Sequence, residues 1–421
     1  MEFISEVMQM IFKPRIYEAK IKKFAHLFKI VFLVGARQVG KSSLLAHIFP
    51  DYKTFVFDPV QDLYNVRKSP DLFLSDFKPP IILDEVQFVP ELLPALKRFA
   101  DNSDDKGQYF LTGSQQLSIL KTVAESLAGR VVIIPIGPMT PHEMYASFNP
   151  DHNWFLRYLK NPHTFSVQHV THLITTPGRL EVLFRGGMPG VIELPDGALT
   201  AYFSSYVQTY IERDVRLLEN IEDLSNFGRF VALVAALTSQ EINYAQLGRE
   251  LGISAKTAER WLQLLVHTHQ WTALPSFHMN SIKRLSSKPK GIISDTGLAC
   301  YLQRISSSDA LAASPLQGAL FESYCFNMIK GFCSALSMMP NFYHWRTLAG
   351  AEVDFIVEID GIFYPIEVKS AATVGKYDIK GITAFKEAYP SLRIAKGVVL
   401  YAGKECYHIT DDIIAVPWNM A

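Results

Sequence analysis

The sequence is poor in cysteine. Its four residues, Cys300, Cys325, Cys333 and Cys406, lie apart, and no two form a CxxC pair. That scarcity excludes a disulfide framework and a cysteine zinc site, and the four read as small apolar residues of a reducing compartment. Net charge is missing too, because 41 Lys+Arg meet 41 Asp+Glu. A uniformly basic nucleic-acid coat and an acidic disordered chain are both excluded, so any polyanion must meet a local patch. No run reaches the roughly 18 apolar residues that span a bilayer. The opening Met1-Glu2-Phe3-Ile4-Ser5-Glu6 lacks the positive flank of a secretory signal. A soluble, cytoplasmic protein without a membrane partner is expected. There is no fixed-period repeat and no low-complexity stretch; residues 306–308 with 312–314 are a short linker candidate.

Apolar material is plentiful, at 48% hydrophobic against 19% charged. A chain of 421 residues exceeds one ordinary core, which predicts two to four domains. Short apolar runs at 30–34, 54–57, 80–83, 108–111 and 130–136 alternate with amphipathic stretches. That pattern predicts a mostly parallel sheet covered on both faces. Long helical stretches rich in aromatics are expected over 153–220, punctuated by a tight turn at Phe184-Arg185-Gly186-Gly187-Met188-Pro189-Gly190. The expected blocks are 1–145, 146–220, 221–303 and 312–421. The fold class is α/β multi-domain.

Gly35-Ala36-Arg37-Gln38-Val39-Gly40-Lys41-Ser42 fits G-x-x-x-x-G-K-[ST], after a strand and at the start of a helix. Backbone amides of this loop would turn toward phosphate oxygens, and the helix N-terminus adds partial positive charge. Lys41 would meet the β/γ-phosphates of ATP, Ser42 would ligate Mg²⁺, and Ser43 completes the binding set. Pro80-Ile81-Ile82-Leu83-Asp84-Glu85 ends a strand on two carboxylates. Asp84 would hold the magnesium through water, and Glu85 would polarise the attacking water. Ser114, closing Leu111-Thr112-Gly113-Ser114, is a γ-phosphate sensor candidate, with a helix N-cap as the equal alternative. Arg130 can stabilise transition-state charge in its own subunit or across the interface of a homo-oligomer; a surface salt bridge is the alternative.

Gly35–Ser42, Leu83-Asp84-Glu85, 111–114, 126–130 and 184–189 resemble the motifs of a family of bacterial and archaeal AAA-type ATPases. Tyr206-Val207-Gln208-Thr209-Tyr210-Ile211-Glu212-Arg213-Asp214-Val215 is similar to it as well. The resemblance implies a P-loop NTPase core with a helical lid, and a C-terminal region of largely unassigned function.

Asn243-Tyr244-Ala245-Gln246 has the cap-and-Gln spacing of a helix start. That helix stops at Gly252, and a second runs from Ala255 to Val266, the spacing of a helix-turn-helix. Leu247, Leu251, Ile253, Ala258, Leu262 and Leu265 would face inward; Lys256, Thr257 and Arg260 would face outward. Strands at 271–277 and 291–294, joined through Lys283, Arg284, Lys288 and Lys290, would form the wing of a winged helix. Residues 241–290 hold seven Lys/Arg against three Asp/Glu, an excess that suits phosphate contacts with DNA. Protein contacts alone are the other reading.

Asp360-Gly361 between alternating runs predicts a two-residue hairpin. Pairing Ile359 with Ile362 sets Asp354 opposite Glu367, and Glu352 opposite Lys369. One face would be apolar: Val353, Phe355, Val357, Ile359, Ile362, Tyr364, Ile366 and Val368. The other would carry Glu352, Asp354, Glu358, Glu367 and Lys369. Opposed carboxylates repel, and a second divalent metal on Asp354 and Glu367, beside Lys369, would relieve this. The plain alternative is a wet face with a Glu352–Lys369 ion pair. The pattern D…E-x-K resembles the core of the PD-(D/E)xK nucleases, which implies a restriction-endonuclease-like α/β fold and a supporting acid at Glu322. Glu352-Val353 stands where those nucleases usually have Pro before the Asp. The expected function is an Mg²⁺-dependent ATPase coupled to DNA-binding and nuclease-like domains. The alternatives are an ATP-gated DNA-binding regulator with an inactive C-terminal fold, and a protein-interaction scaffold.

Overall fold

The computed structural model describes residues 12–114, 127–167, 173–210, 221, 223–280 and 287–421. Ser126, Lys283, Arg284 and residues 211–215, named above, lie outside these. The protein is an α/β multi-domain chain.

The first sheet arises where the apolar runs predict it: β1 (Ile30–Val34), β2 (Lys53–Val56), β3 (Ile81–Asp84), β4 (Tyr109–Gly113) and β5 (Val131–Pro135). All pairings are parallel, in the order β2-β3-β4-β1-β5. Helices cover both faces, so β1 is buried along its whole length. Val31, Leu33 and Phe110 feed one core, while Ile30, Phe32, Leu83 and Leu111 feed another. Around the sheet lie α1 (Glu18–Ala25), α2 (Lys41–Ile48), α3 (Pro70–Asp76), α4 (Leu92–Asp101) and α5 (Pro141–Tyr145).

The expected long helices of 153–220 are broken into α6 (Trp154–Lys160), α7 (Arg179–Arg185) and α8 (Asp196–Thr209). Pro162, Pro177-Gly178, Pro189 and Pro195 divide them, since proline lacks the amide that a continuing helix needs. This layer meets the end of the chain. Tyr364 Oη donates to the Leu159 carbonyl at 2.9 Å, the Tyr158 hydroxyl to that of Lys396, and the Ile174 amide to that of Asn419 at 2.9 Å.

Next come α9 (Leu224–Ala236), α10 (Tyr244–Leu251) and α11 (Ala255–His267), then α12 (Thr296–Leu302). Asn243 caps α10 by accepting from the Ala245 and Gln246 amides, and Gly252 at φ +69° ends it. Ser254 caps α11. Leu247, Leu251, Ala258, Leu262 and Leu265 are buried and Lys256 and Arg260 exposed, as the periodicity predicts, whereas Ile253 and Thr257 are each half-buried. Three antiparallel strands complete the block in the order β6-β8-β7: β6 (Gln240–Glu241), β7 (Trp271–Leu274) and β8 (Lys290–Ile293).

The C-terminal block opens with α13 (Gln317–Cys333). Its sheet holds β9 (Asn341–Arg346), β10 (Glu352–Ile359), β11 (Ile362–Lys369), β12 (Arg393–Ile394), β13 (Gly397–Tyr401), β14 (Tyr407–Thr410) and β15 (Ile413–Pro417), with α14 (Lys380–Ala388) between β11 and β12. The order is β14-β15-β13-β11-β10-β9, with β12 beside β11. Asp360 and Gly361, both at positive φ, turn the expected hairpin, and Ile359 pairs with Ile362.

Two expectations for this hairpin fail. The β10–β11 ladder stops at Phe355–Ile366, so Asp354 is not laddered to Glu367. A register shift against β9 between Val353 and Ile356 turns the strand there, and Val353 joins the opposite core from Phe355. Nor is either face wet. Ile356 and Phe363 lie under Ile382 and Phe385 of α14, and Phe355 and Tyr364 share a core with α13.

Candidate functional site

The end of β1 delivers the phosphate-loop sequence at the carboxyl edge of the parallel sheet. A side chain at Gly35 would set Cβ 2.2 Å from the Ile136 carbonyl oxygen, so only glycine passes there. Gln38 at φ +60° and Gly40 at φ +86° curl the loop before α2. Lys41 is buried, and its Nζ donates to the carbonyls of Gly35 (3.0 Å) and Ala36 (2.8 Å). Ser43 lies exposed in the first turn of α2, and Arg37 is half-buried.

Asp84 joins three strand ends. Ser42 Oγ donates to Asp84 Oδ1 at 2.6 Å, and the Thr112 hydroxyl donates to the same oxygen. The Glu85 amide donates to Thr112 Oγ1 at 3.1 Å. Glu85 occupies a left-handed conformation, φ +60° and ψ +45°, which turns the chain sharply after β3. The Gln87 amide links Glu85 Oε2 to Ser114 Oγ, 3.2 Å away on the second contact. Ser42, Asp84, Glu85 and Ser114 thus converge. Ser42 and Asp84 offer hard oxygen donors within one hydrogen bond of each other, a donor set that suits Mg²⁺.

Arg130 is not brought to this group. It precedes β5 next to Ile30, at the opposite edge, about 15 Å from the loop by strand rise. There it pairs with Asp101 and the Ala128 carbonyl, so it cannot act on a phosphate of its own subunit.

Arg15, Glu143, Thr112 and Gln87 were not anticipated. Arg15 donates to the Val39 carbonyl (2.7 Å), the Gly137 carbonyl (2.8 Å) and Glu143 Oε1 (2.8 Å). Glu143 also takes the Ile16 and Thr140 amides. The capping-box spacing Thr140-Pro141-His142-Glu143 was the one local signal for it. The turn at 184–190 packs beside the loop, with Pro189 Cγ 3.6 Å from a Cβ placed on Gly40. Asp295, buried before α12, holds that turn by accepting from the Gly187 amide at 2.8 Å. Burial raises its pKa, opposed by these amides. A cavity of about 390 Å³ opens beside the loop, lined by Ala36, Gly137, Thr140, Thr272, Asp295 and Lys330. Burial pulls the Lys330 pKa down to about 8, and its ammonium donates to Thr272 Oγ1 at 3.0 Å.

The C-terminal carboxylates are arranged differently from expectation. Glu352 pairs with Lys290 at 2.7 Å rather than with Lys369, whose partner is Glu367 at 2.5 Å. Lys290 is no wing cation: it is 1% exposed and also meets Glu322 at 2.8 Å and Asp354 at 3.5 Å. Burial opposes its charge, yet Glu322, Asp354 and Glu352 together raise its pKa. Asp354 Oδ2 accepts from the Val368 amide at 2.8 Å. Burial, then Asp354, pushes the Glu367 carboxyl well above the usual range. Among the described residues, no group of three or more His, Cys, Asp or Glu is disposed to hold a metal ion. In this arrangement the second metal does not fit, because an ammonium stands among its ligands. No helix among the described residues is long and apolar enough to cross a membrane.

Residues 27–145 match the family model of an AAA domain. Residues 179–309 and 317–421 match two domains of unknown function, DUF8612 and DUF4143. Uncharacterized proteins of Mycobacterium tuberculosis and Mycobacterium bovis are each 26% identical over 97% of this chain and 84% of theirs. A Pyrococcus horikoshii signal-transduction ATPase with numerous domains and a tetratricopeptide-repeat sensor is 13% identical, with a TM-score of 0.24. The match covers 77% of this chain but only 47% of that one. Two mutants of Thermotoga maritima RuvB are 15% and 14% identical, with TM-scores of 0.29 and 0.30. They cover 62% and 63% of this chain, and 86% and 94% of their own. The loop, the Ser42–Asp84 contact and the family match agree on one assignment: residues 27–145 form an AAA-type P-loop ATPase domain.

Proposed function

We propose that the chain binds and hydrolyses ATP at residues 35–43 and transmits the cycle to a DNA-binding block and a nuclease-like block. The observation that carries this is the convergence of Ser42, Asp84, Thr112 and Glu85 at the carboxyl edge of the first sheet. Lys41 exchanges its two loop carbonyls for phosphate oxygens when ATP enters. Ser42 and Asp84 would hold Mg²⁺, which supplies charge neutralisation at the phosphates. Glu85 takes a proton from the attacking water, and the Gln87 amide orients the carboxylate relative to Ser114. The turn at 184–190 lies between the loop and Asp295, so movement at the phosphates passes to the block that begins at 221. In this reading 1–145 is the ATPase core, 146–220 the lid, 221–303 a winged helix and 312–421 a PD-(D/E)xK-like domain. Exposed Lys256 and Arg260 on α11 suit phosphate contacts. Arg130 can serve only a neighbouring subunit.

ATP turnover with and without DNA tests this in wild type and Glu85→Gln. Loss of the carboxylate should lower turnover by about 10²- to 10⁴-fold with nucleotide still bound, and DNA should stimulate the wild type. No turnover in the wild type sinks the enzyme reading, and salt-independent or absent DNA binding favours the protein scaffold. A second reading, an ATP-gated DNA-binding regulator that does not cut, is favoured by the ammonium of Lys290 among the C-terminal acids.

A further inference from the structure

The cavity of about 390 Å³ beside the phosphate loop is walled by separate blocks of the chain. Thr140 comes from the ATPase domain, His269, Thr272 and Thr296 from the block that holds α10 and α11, and Tyr324 and Lys330 from α13. Gly331 permits the meeting. A Cβ there would lie 2.5 Å from Thr140 Cγ2, so a larger residue would push α13, and Lys330 with it, off the wall. The volume falls in the range of small-molecule sites.

Several polar groups of this wall lack partners among the described residues. Thr296 and Tyr324 are 2% and 7% exposed, yet neither hydroxyl makes a hydrogen bond. Nor does Nε2 of His269, which stands at φ +59° in the turn between α11 and β7. Buried polar groups left unpaired are costly and rare, so three in one wall mark the place of a partner. Lys330 supplies the charge. Its ammonium donates to Thr272 Oγ1 at 3.0 Å, and burial lowers its pKa with no neighbouring carboxylate to raise it. The acid of the wall, Asp295, accepts from the Gly187 and Leu298 amides at 2.8 Å each, so the main chain meets its charge. His269, kept neutral by burial, adds a nitrogen but no charge. One ammonium, two hydroxyls and an imidazole in an otherwise apolar space suit one small anion.

We propose that this cavity binds a small molecule through one singly charged oxyanion, a carboxylate or a monoanionic phosphate. Lys330 meets the charge, and Thr296, Tyr324 and His269 supply the hydrogen bonds. Met139, Val266 and Met328, which also line the space, pack against the body of the ligand. The occupant ties the ATPase domain to the blocks that follow it. Its anion belongs either to a free metabolite or to the nucleotide on the adjoining loop, and Lys41 separates the two sources.

The test is calorimetry on the full chain with benzoate, with inorganic phosphate, and with Mg²⁺ and a non-hydrolysable ATP analogue. The proteins are wild type, Lys330→Met, Thr296→Val and Lys41→Ala. For a free metabolite, benzoate or phosphate should bind wild type and Lys41→Ala alike. That binding should weaken about tenfold or more with Lys330→Met and about threefold or more with Thr296→Val. For the nucleotide, the ATP analogue alone should show those losses. Equal binding of every probe by wild type, Lys330→Met and Thr296→Val, or binding of none, overturns the proposal. The arm with free anions runs in Lys41→Ala, so a failure of nucleotide binding leaves it readable. Lys330 has no ion pair to lose and the Thr296 hydroxyl no partner, so melting temperatures should stay at or above wild type. Should Lys330→Met fail to fold, Thr296→Val and Tyr324→Phe carry the same comparison.

Discussion

The guanidinium of Arg15 binds three stretches far apart in the chain: the phosphate loop at Val39, the exit of β5 at Gly137 and the cap of α5 at Glu143. The Arg15–Glu143 pair is almost wholly buried, with side chains 3% and 0% exposed. Such a pair adds little over an apolar substitute, but removing one partner strands the other charge. Glu143→Gln should therefore lower unfolding free energy by roughly 3 kcal/mol, read from the denaturant midpoint. ATP affinity should weaken with it, because the Val39 carbonyl loses a positioned donor. Glu85 is the other residue whose setting is informative. Its left-handed backbone keeps the carboxylate beside Gln87, a strained turn of the sort found where chemistry needs a fixed angle.

Helix α10 shows how far local signals reach. Asn243 accepts from two amides at its start, at 3.1 and 3.3 Å, and Gly252 closes it. Asn243→Ala should cost about 1 kcal/mol and speed hydrogen exchange over 244–251, leaving ATP turnover near wild type. Every strand of the first sheet was legible within two residues: the central β1, β3 and β4 are buried throughout and read as apolar runs, while the more exposed β2 and β5 are marked by shorter ones. The hairpin at 360–361 was legible for a different reason, since Asp-Gly admits the positive φ that the turn demands. Its far end was not. The register shift at Val353 depends on β9, a partner strand that alternation along β10 cannot report. Between 153 and 210 the prolines, not the aromatic residues, set where the described helices end.

At the scale of the molecule, buried histidines lie where blocks meet. His142 of α5 stands edge-on to Phe332 of α13, with ring centroids 4.6 Å apart, and His269 follows α11 near Lys330 and Lys41. Burial lowers both to about 3 from an ordinary 6.5. The native state thus refuses protons that the unfolded chain accepts, so their contribution is full above pH 6.5 and lost as pH falls toward 3. Melting temperature should decline between pH 6.5 and 5, and His142→Gln/His269→Gln should flatten that decline. The convergence of Ser42, Asp84, Glu85 and Ser114 was readable because each of the three motifs that carry them is short and unbroken at the end of a strand. Lys290 was not: its spacing reads as a wing cation, and the acids that claim it arrive 32 and 64 residues later. Periodicity reports which side of an element a residue takes, not what comes to meet it. The meeting of α6 with the chain's last residues has a consequence for biosynthesis. All strands of the first sheet lie within 30–135, so that sheet can close while the ribosome is still working. The helix at 154–160 instead takes hydrogen-bond partners from Tyr364, Lys396 and Ala421, so it acquires them only after more than two hundred further residues have been made, and its layer is completed later than the sheet it follows.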